Sequence, residues 1–265
     1  MATHNNTDNE LVQRQHEGDI CFVTLNREHK LNTLTPAMLD ALEVHARAIE
    51  ADPSVRVVIL TGAGGRAFCV GADITEWAAL DALDMWRRWV KRGHQVFDQW
   101  ARLRQPVIAA INGHAFGGGL ELAICADIRI ATSAAQYALP EASIATCPGW
   151  SGSQRMVRLI GGSQTKYLAI SGQRLYASQA LQSGLVHEVV AAEGLLERAR
   201  ALAADMATKA PVSLQLTKQL VNAATGEDRD AVLEAMAGAL AASTQDAKEG
   251  IASFKEKRKA AYAGR

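Results

Sequence analysis

Glu121 is the one charged residue in the run Leu120-Glu121-Leu122-Ala123-Ile124-Cys125-Ala126. A helix that is apolar on all sides is a buried helix. A carboxyl group on it needs a partner or a task, because an unpartnered buried charge is costly. A glutamate in a first turn also complements the helix dipole, although that role suits a half-exposed helix better. Three glycines, Gly117-Gly118-Gly119, stand directly in front. At the start of a helix the Gly118 N–H has no intrahelical acceptor, and the missing side chain lets a ligand approach the backbone. Such a donor can receive an anion or a polarised carbonyl oxygen. Glu121 lies three residues on and shares its helix face. An oxyanion donor and a carboxylate are therefore expected to look into one space, an arrangement suited to acid–base chemistry beside a carbonyl group.

A second glutamate, Glu141, follows the strand-like Gln136-Tyr137-Ala138-Leu139 and Pro140. It precedes the loop Cys147-Pro148-Gly149-Trp150-Ser151-Gly152-Ser153-Gln154-Arg155. Taken alone it reads as a solvated loop residue. His114 reads as a packed histidine rather than a base, since nothing in the sequence supplies an orienting partner.

The elements that must position these groups alternate strand and helix. Asp19–Leu25, Val55–Thr61, Pro106–Ile111 and Asp127–Ala131 read as strands. The second and third are nearly continuous apolar runs, as in sheets covered on both faces. Thr35-Pro36 opens a helix, with Thr as the cap and Pro at the first helical position, and Asp52-Pro53 stops it. Residues 62–74 form a glycine-rich loop beyond a strand end, where α/β sheets usually bind ligands. Its glycine spacing matches neither the dinucleotide nor the phosphate-loop pattern. Trp86, Trp89, Val90, Val96, Trp100 and Leu103 recur at helical spacing over residues 79–104, which predicts a helix packed on the sheet, with Gly93 as a place for a bend. From Leu159 the chain is helix-rich, with breaks at Gly161-Gly162 and Ser171-Gly172. Residues 1–10 are expected to be a disordered tail, residues 11–200 an α/β core and residues 201–265 a helical region. Strand-then-helix units recur without a convincing sequence repeat.

Composition narrows the function classes. A hydrophobic share of 48% over 265 residues suits one large domain, or a core with a helical appendage. Lys+Arg and Asp+Glu are both 28, so there is no basic excess of the kind that marks a nucleic-acid binder. Cys21, Cys69, Cys125 and Cys147 lack metal-ligand spacing and do not suggest a disulfide framework. A reducing, cytoplasmic setting follows as the expectation. The polar N-terminus lacks the apolar segment of a signal peptide, and no apolar run is long enough for a membrane span.

Several motifs in order then resemble one family, the enoyl-CoA hydratase/isomerase (crotonase) superfamily. They are Ala67-Phe68-Cys69-Val70-Gly71-Ala72-Asp73-Ile74, Asn112 through Glu121, Leu139-Pro140-Glu141, Ala180 through Val186, and the tail from Phe254 to Arg258. The resemblance spans nearly the whole chain. It implies an α/β fold, a spiral of ββα repeats, with a C-terminal helical region that builds trimers or hexamers of two trimers. It implies an acyl-CoA thioester as partner, with coenzyme A belonging to the substrate and no separate cofactor or metal. The thioester oxygen would lie between the amides of Ala72 and Gly118. The Val70 carbonyl oxygen would meet the adenine, and Asp73, Ile74 and Trp150 would complete the substrate site. Phe254 and Lys257 of the tail would add to the CoA site, often from a neighbouring subunit.

Both glutamates used by the family's hydratases are present, as Glu121 and Glu141. The resemblance therefore implies syn addition of water to a trans-2-enoyl-CoA, with Glu121 holding and activating water and Glu141 delivering a proton to C2. The alternatives are a double-bond isomerase, a hydrolase or a lyase using the same oxyanion donors, and then a non-catalytic acyl-CoA or RNA-binding homologue. Relatives usually carry small residues after the Pro-Gly pair, where this chain has Trp150. Its indole either packs on a helix or lines the acyl pocket. Arg66 suits a CoA phosphate or solvent equally.

Overall fold

Val57–Gly62 is buried at every position, so this strand needs apolar cover on both faces. The computed structural model, which describes residues 10–265, supplies that cover. The expected disordered tail falls almost wholly on residues 1–9, outside the described residues.

Among the described residues the chain forms two compact units, residues 10–215 and 216–265. In the first, β1 (Val12–Glu17), β2 (Ile20–Leu25), β3 (Val57–Gly62), β5 (Val107–Ile111), β7 (Ile128–Thr132) and β10 (Glu188–Val190) make one sheet in the order β1-β2-β3-β5-β7-β10. A second sheet orders β4 (Ala67–Cys69), β6 (His114–Phe116), β8 (Gln136–Ala138) and β9 (Leu175–Tyr176) as β4-β6-β8-β9. Parallel registers run through the middle of the first sheet, Phe22 beside Ile59 and Ile59 beside Ile108. β3-β4, β5-β6 and β7-β8 each send one strand to each sheet before a helix follows. This recurrence is the ββα spiral expected above.

Alternation explains the apolar runs. Phe22, Ile59, Ile108 and Ile130 meet Leu195, Ala199, Ala203 and Met206 on one face of the large sheet. Val23, Leu60, Ala109 and Ala131 point to the opposite core, shared with the long helices. Successive side chains take opposite faces, so a strand buried on both sides has no polar face to show.

The helices are α1 (Pro36–Ala51), α2 (Ile74–Trp77), α3 (Ala82–Asp84), α4 (Lys91–Arg102), α5 (Gly118–Ala123), α6 (Gly152–Ser171), α7 (Ala177–Gln182), α8 (Leu195–Ala207), α9 (Pro211–Ala224), α10 (Arg229–Ala242) and α11 (Gln245–Glu256). Thr35 caps α1, its hydroxyl accepting from Met38 N–H at 3.2 Å. The division drawn at residue 200 falls within α8, whose buried face belongs to the core of the first unit, and that unit continues to Gln215. The second unit, described by itself, is helical. It exposes Leu220, Val221, Leu233, Leu240, Ile251 and Phe254.

Three local readings change. Val12–Glu17 forms a strand that its polar sequence conceals, with only Val12 fully buried. Residues 85–90 form a π-helix, whose wider turn breaks the 3.6-residue period. Trp86 therefore stands 62% exposed rather than in the core. Gly93 does not divide α4, which runs unbroken from Lys91 to Arg102; its role is steric, as shown below. The break at Gly161 is real, with φ 78° inside α6.

Candidate active site

The geometry of two loops leaves two backbone amides without carbonyl partners among the described residues. Gly117 has φ 48° and ψ −126°, a conformation open to glycine, and its N–H donates to Ala138 O at 2.9 Å. This ties the end of β6 to β8 and starts α5 at Gly118, whose N–H is the first of the helix. On the other loop, Leu34 grips both sides of Ala72. Leu34 N–H donates to Gly71 O, and Asp73 N–H donates to Leu34 O, each at 2.8 Å. Alternation along an extended segment turns the Ala72 N–H away from Leu34. Among the described residues neither the Ala72 nor the Gly118 amide finds a carbonyl acceptor. They are neighbours: a methyl group on Gly118 would lie 3.7 Å from the Ala72 nitrogen, and one on Gly71 would lie 3.6 Å from the Gly118 nitrogen. Paired free donors of this kind stabilise charge developing on a carbonyl oxygen.

Both amides border a cavity of about 250 Å³. Glu121 and Glu141 line the same cavity, as do Val70, Ile74 and Trp150. Its remaining wall is mostly apolar, with Trp77, Met85, Trp89 and Ile144 prominent.

Glu121 is 3% exposed. Its Oε1 accepts from the N–H groups of Trp150 at 2.9 Å and Gly152 at 2.8 Å. Burial pushes its carboxyl above the ordinary range, opposed by the amides of Trp150, Gly152 and Gly149 and by Arg155. Gly152 leaves room for the Glu121 carboxyl, which a methyl group there would force to move.

Glu141 opens a 3-10 turn, Glu141–Ile144. Its Oε2 is buried without a hydrogen-bond partner among the described residues. Burial, and then the charge of Glu121, push it up to about 7. A methyl group on Gly117 would approach its Oε1 to 2.9 Å.

Trp150 does two things at once. Its backbone serves Glu121, and its indole, 3% exposed, packs against Trp89 at 5.3 Å and edge-on to Phe97 at 5.1 Å. The ring occupies a notch left by Gly93 and Gly118, where side-chain carbons would overlap it. The indole is packed, and Trp150 is also among the residues that line this cavity.

Asp73 is not in the lining of this cavity but borders an adjoining one with Val70, Ala72 and Ile74; its carboxylate accepts from Thr75 N–H at 3.1 Å and from Arg27 at 2.7 Å. A short acidic side chain just before a helix is drawn to its free amides, and here it caps α2. His114 is stacked on Phe116 at 5.3 Å and lies outside the cavity lining. Burial and then Arg174 and Arg66 lower its pKa. Arg66 is exposed. Phe254 and Lys257 stand on the second unit, Phe254 86% exposed and Lys257 in a left-handed conformation closing α11.

The amides at 149, 150 and 152 were not foreseen, because a backbone donor leaves no residue-type signature. The nearest sequence signal was Gly152 itself, a glycine with no turn assigned to it.

Residues 15–265 match the enoyl-CoA hydratase/isomerase family. The chain is 40% identical over 245 residues to a short-chain-enoyl-CoA hydratase of Clostridium acetobutylicum, covering 92% of this chain and 94% of that one. It is 37% identical to a crotonyl-CoA hydratase of Syntrophomonas wolfei, covering 93% and 95%. A crystal structure of an enoyl-CoA hydratase from Bacillus anthracis superposes with a TM-score of 0.80 at 37% identity, covering 96% of this chain and 100% of that one.

Proposed function

The chain belongs to the enoyl-CoA hydratase/isomerase family, and from that premise we propose how it hydrates a trans-2-enoyl-CoA to the 3-hydroxyacyl-CoA. The observation that carries the mechanism is the convergence of two free amides and two unlike carboxyl groups on one cavity. The Ala72 and Gly118 amides receive the thioester oxygen. They draw electron density from the double bond, make C3 electrophilic and hold the enolate-like charge that develops. Glu121, caged by amides that favour its charged form, takes the proton from water as the oxygen attacks C3. Glu141, whose pKa of about 7 keeps a share of it protonated at neutrality, delivers a proton to C2. Unlike surroundings that separate two carboxyl groups divide acid from base work.

No metal or redox cofactor enters this scheme, and coenzyme A arrives as part of the substrate. The Val70 carbonyl oxygen is assigned to the adenine, Asp73 and Ile74 to the substrate pocket, Trp150 to the acyl end, and Phe254 and Lys257 to the CoA moiety. The exposed apolar residues of the second unit suit self-association as a trimer or a hexamer. A cytoplasmic setting agrees with four free cysteines. No helix among the described residues is long and apolar enough to cross a membrane. Neutral net charge favours no nucleic-acid partner.

The test is incubation of purified protein with trans-2-enoyl-CoA thioesters. Loss of enoyl-thioester absorbance with a gain of one water in product mass supports hydration. A product of unchanged mass points to the isomerase, and no turnover across the panel removes the enzymatic proposal.

A further inference from the structure

Ser151 stands between the two amides that converge on Glu121, those of Trp150 and Gly152. Its backbone is left-handed, φ 71° and ψ 11°. A residue with a Cβ keeps that conformation only where its surroundings hold it. A left-handed residue between successive N–H groups is also what curls them into an anion-binding nest. Here the anion is the Glu121 carboxylate.

Asp98 and His94 on α4 surround the Ser151 side chain. Its hydroxyl donates to Asp98 Oδ1 at 2.9 Å and lies 3.1 Å from the His94 ring nitrogens. The same Asp98 oxygen accepts from Arg155 at 2.8 Å. Arg155 is 6% exposed and also reaches Cys125 Sγ at 3.7 Å, one turn beyond Glu121 on the helix side. Asp98 thus joins α4 to the first turn of α6 through Ser151 and Arg155. Burial works against its charge, but Arg155, Ser151 and His94 outweigh burial and keep its pKa below the ordinary value.

We propose that Ser151, anchored by Asp98, is a positioning residue for Glu121: it holds the left-handed turn whose two flanking amides grip the carboxylate that activates water. This deepens the function proposed above and rests on Glu121 having that role. The charged groups that bear on the site are Glu141 and Arg155 for Glu121, and Arg155, Arg102 and His94 for Asp98.

The experiment compares wild type, Ser151→Ala, Ser151→Gly and Asp98→Asn by kcat, KM and the pH profile of kcat, on a trans-2-enoyl-CoA that the wild type hydrates. Removing the hydroxyl while keeping a Cβ loosens the nest. Ser151→Ala is expected to lower kcat about tenfold with KM changed less than about twofold, as for a group felt mainly in the transition state. With fewer amides on it the Glu121 carboxylate holds its proton more tightly, so the acid limb of the profile moves to higher pH. Ser151→Gly recovers most of the lost kcat, because glycine takes the left-handed turn without an anchor. Asp98→Asn retains an acceptor for the hydroxyl and moves the acid limb in the same direction by less; it carries the test if Ser151→Ala does not fold. A Ser151→Ala protein that melts lower yet keeps its kcat and acid limb would show a merely structural residue and overturn the proposal. So would a Ser151→Gly protein no better than Ser151→Ala. A wild type that hydrates no enoyl-CoA sinks the function reading instead, a result distinguishable from active wild type with unaltered variants.

Discussion

Two carboxyl groups share one cavity and live in different surroundings. Glu121 rises from a helix start and is met by a loop that turns its amides inward. Glu141 opens a short 3-10 turn and has a buried oxygen with no hydrogen-bond partner among the described residues. Burial raises both pKa values; the first is opposed by three amides, while the second is raised further by the first. The contrast teaches that identical side chains can be set apart by the number of donors around them, and that here those donors are backbone groups.

The strongest way to break the contrast is to neutralise each member. Glu121→Gln and Glu141→Gln should each remain folded and lose about 10³-fold in kcat, the scale of a lost acid–base group. Near-normal steady-state rates in either variant would remove that residue from the mechanism. Next in size, Gly152→Ala strikes the Glu121 cage alone, since the added methyl group overlaps that carboxyl. About a 10²-fold loss of kcat is expected from a displaced catalytic group, and circular dichroism would check that the fold survives.

A smaller effect sharpens the Glu141 side. Its folded pKa of about 7 exceeds its ordinary 4.5, so the folded state holds the proton more tightly than the unfolded chain. The stability linked to that proton is fully present below pH 4.5 and is lost as pH rises through about 7. Urea midpoints for wild type should therefore fall relative to Glu141→Gln across that interval, and parallel curves would refute the assignment. The rate should also decline above about pH 7 as the proton donor empties.

The smallest effect concerns the wall both carboxyl groups share. Trp150→Ala opens the notch beside Gly93 and is expected to change the kcat/KM ratio between long and short acyl-CoAs about tenfold, the scale of one or two methylenes in an apolar pocket. Unchanged ratios across short, long and aromatic acyl groups would confine the indole to packing.

Much of this was legible from residue types. Glu121 announced itself as a charge in an apolar helix, and Gly118 as a bare amide at that helix start. The central strands β2, β3, β5 and β7 of the large sheet are legible within about two residues of their ends, because burial leaves largely apolar runs, whereas β1 and β10 at its edges carry no such run. Glu141 carried no such anomaly and was raised only by the family resemblance. That Asp73 caps α2 was not legible, because a capping aspartate and a ligand-facing one have the same local sequence. Trp86 was placed in the core because a π-turn changes the helical period without an obvious residue marker.

What the sequence by itself determined was local: which segments alternate, where backbone must come close, and which carboxyl group lies among apolar neighbours. Those follow from side-chain hydrophobicity and backbone sterics acting over a few residues. Tertiary structure alone decided that the amides of residues 149, 150 and 152 surround Glu121, that Gly93 makes room for Trp150, and that Asp98 reaches Ser151. These depend on groups 28 to 57 residues apart along the chain, and backbone donors are chemically alike at nearly every position, so only the folded path reveals which of them converge.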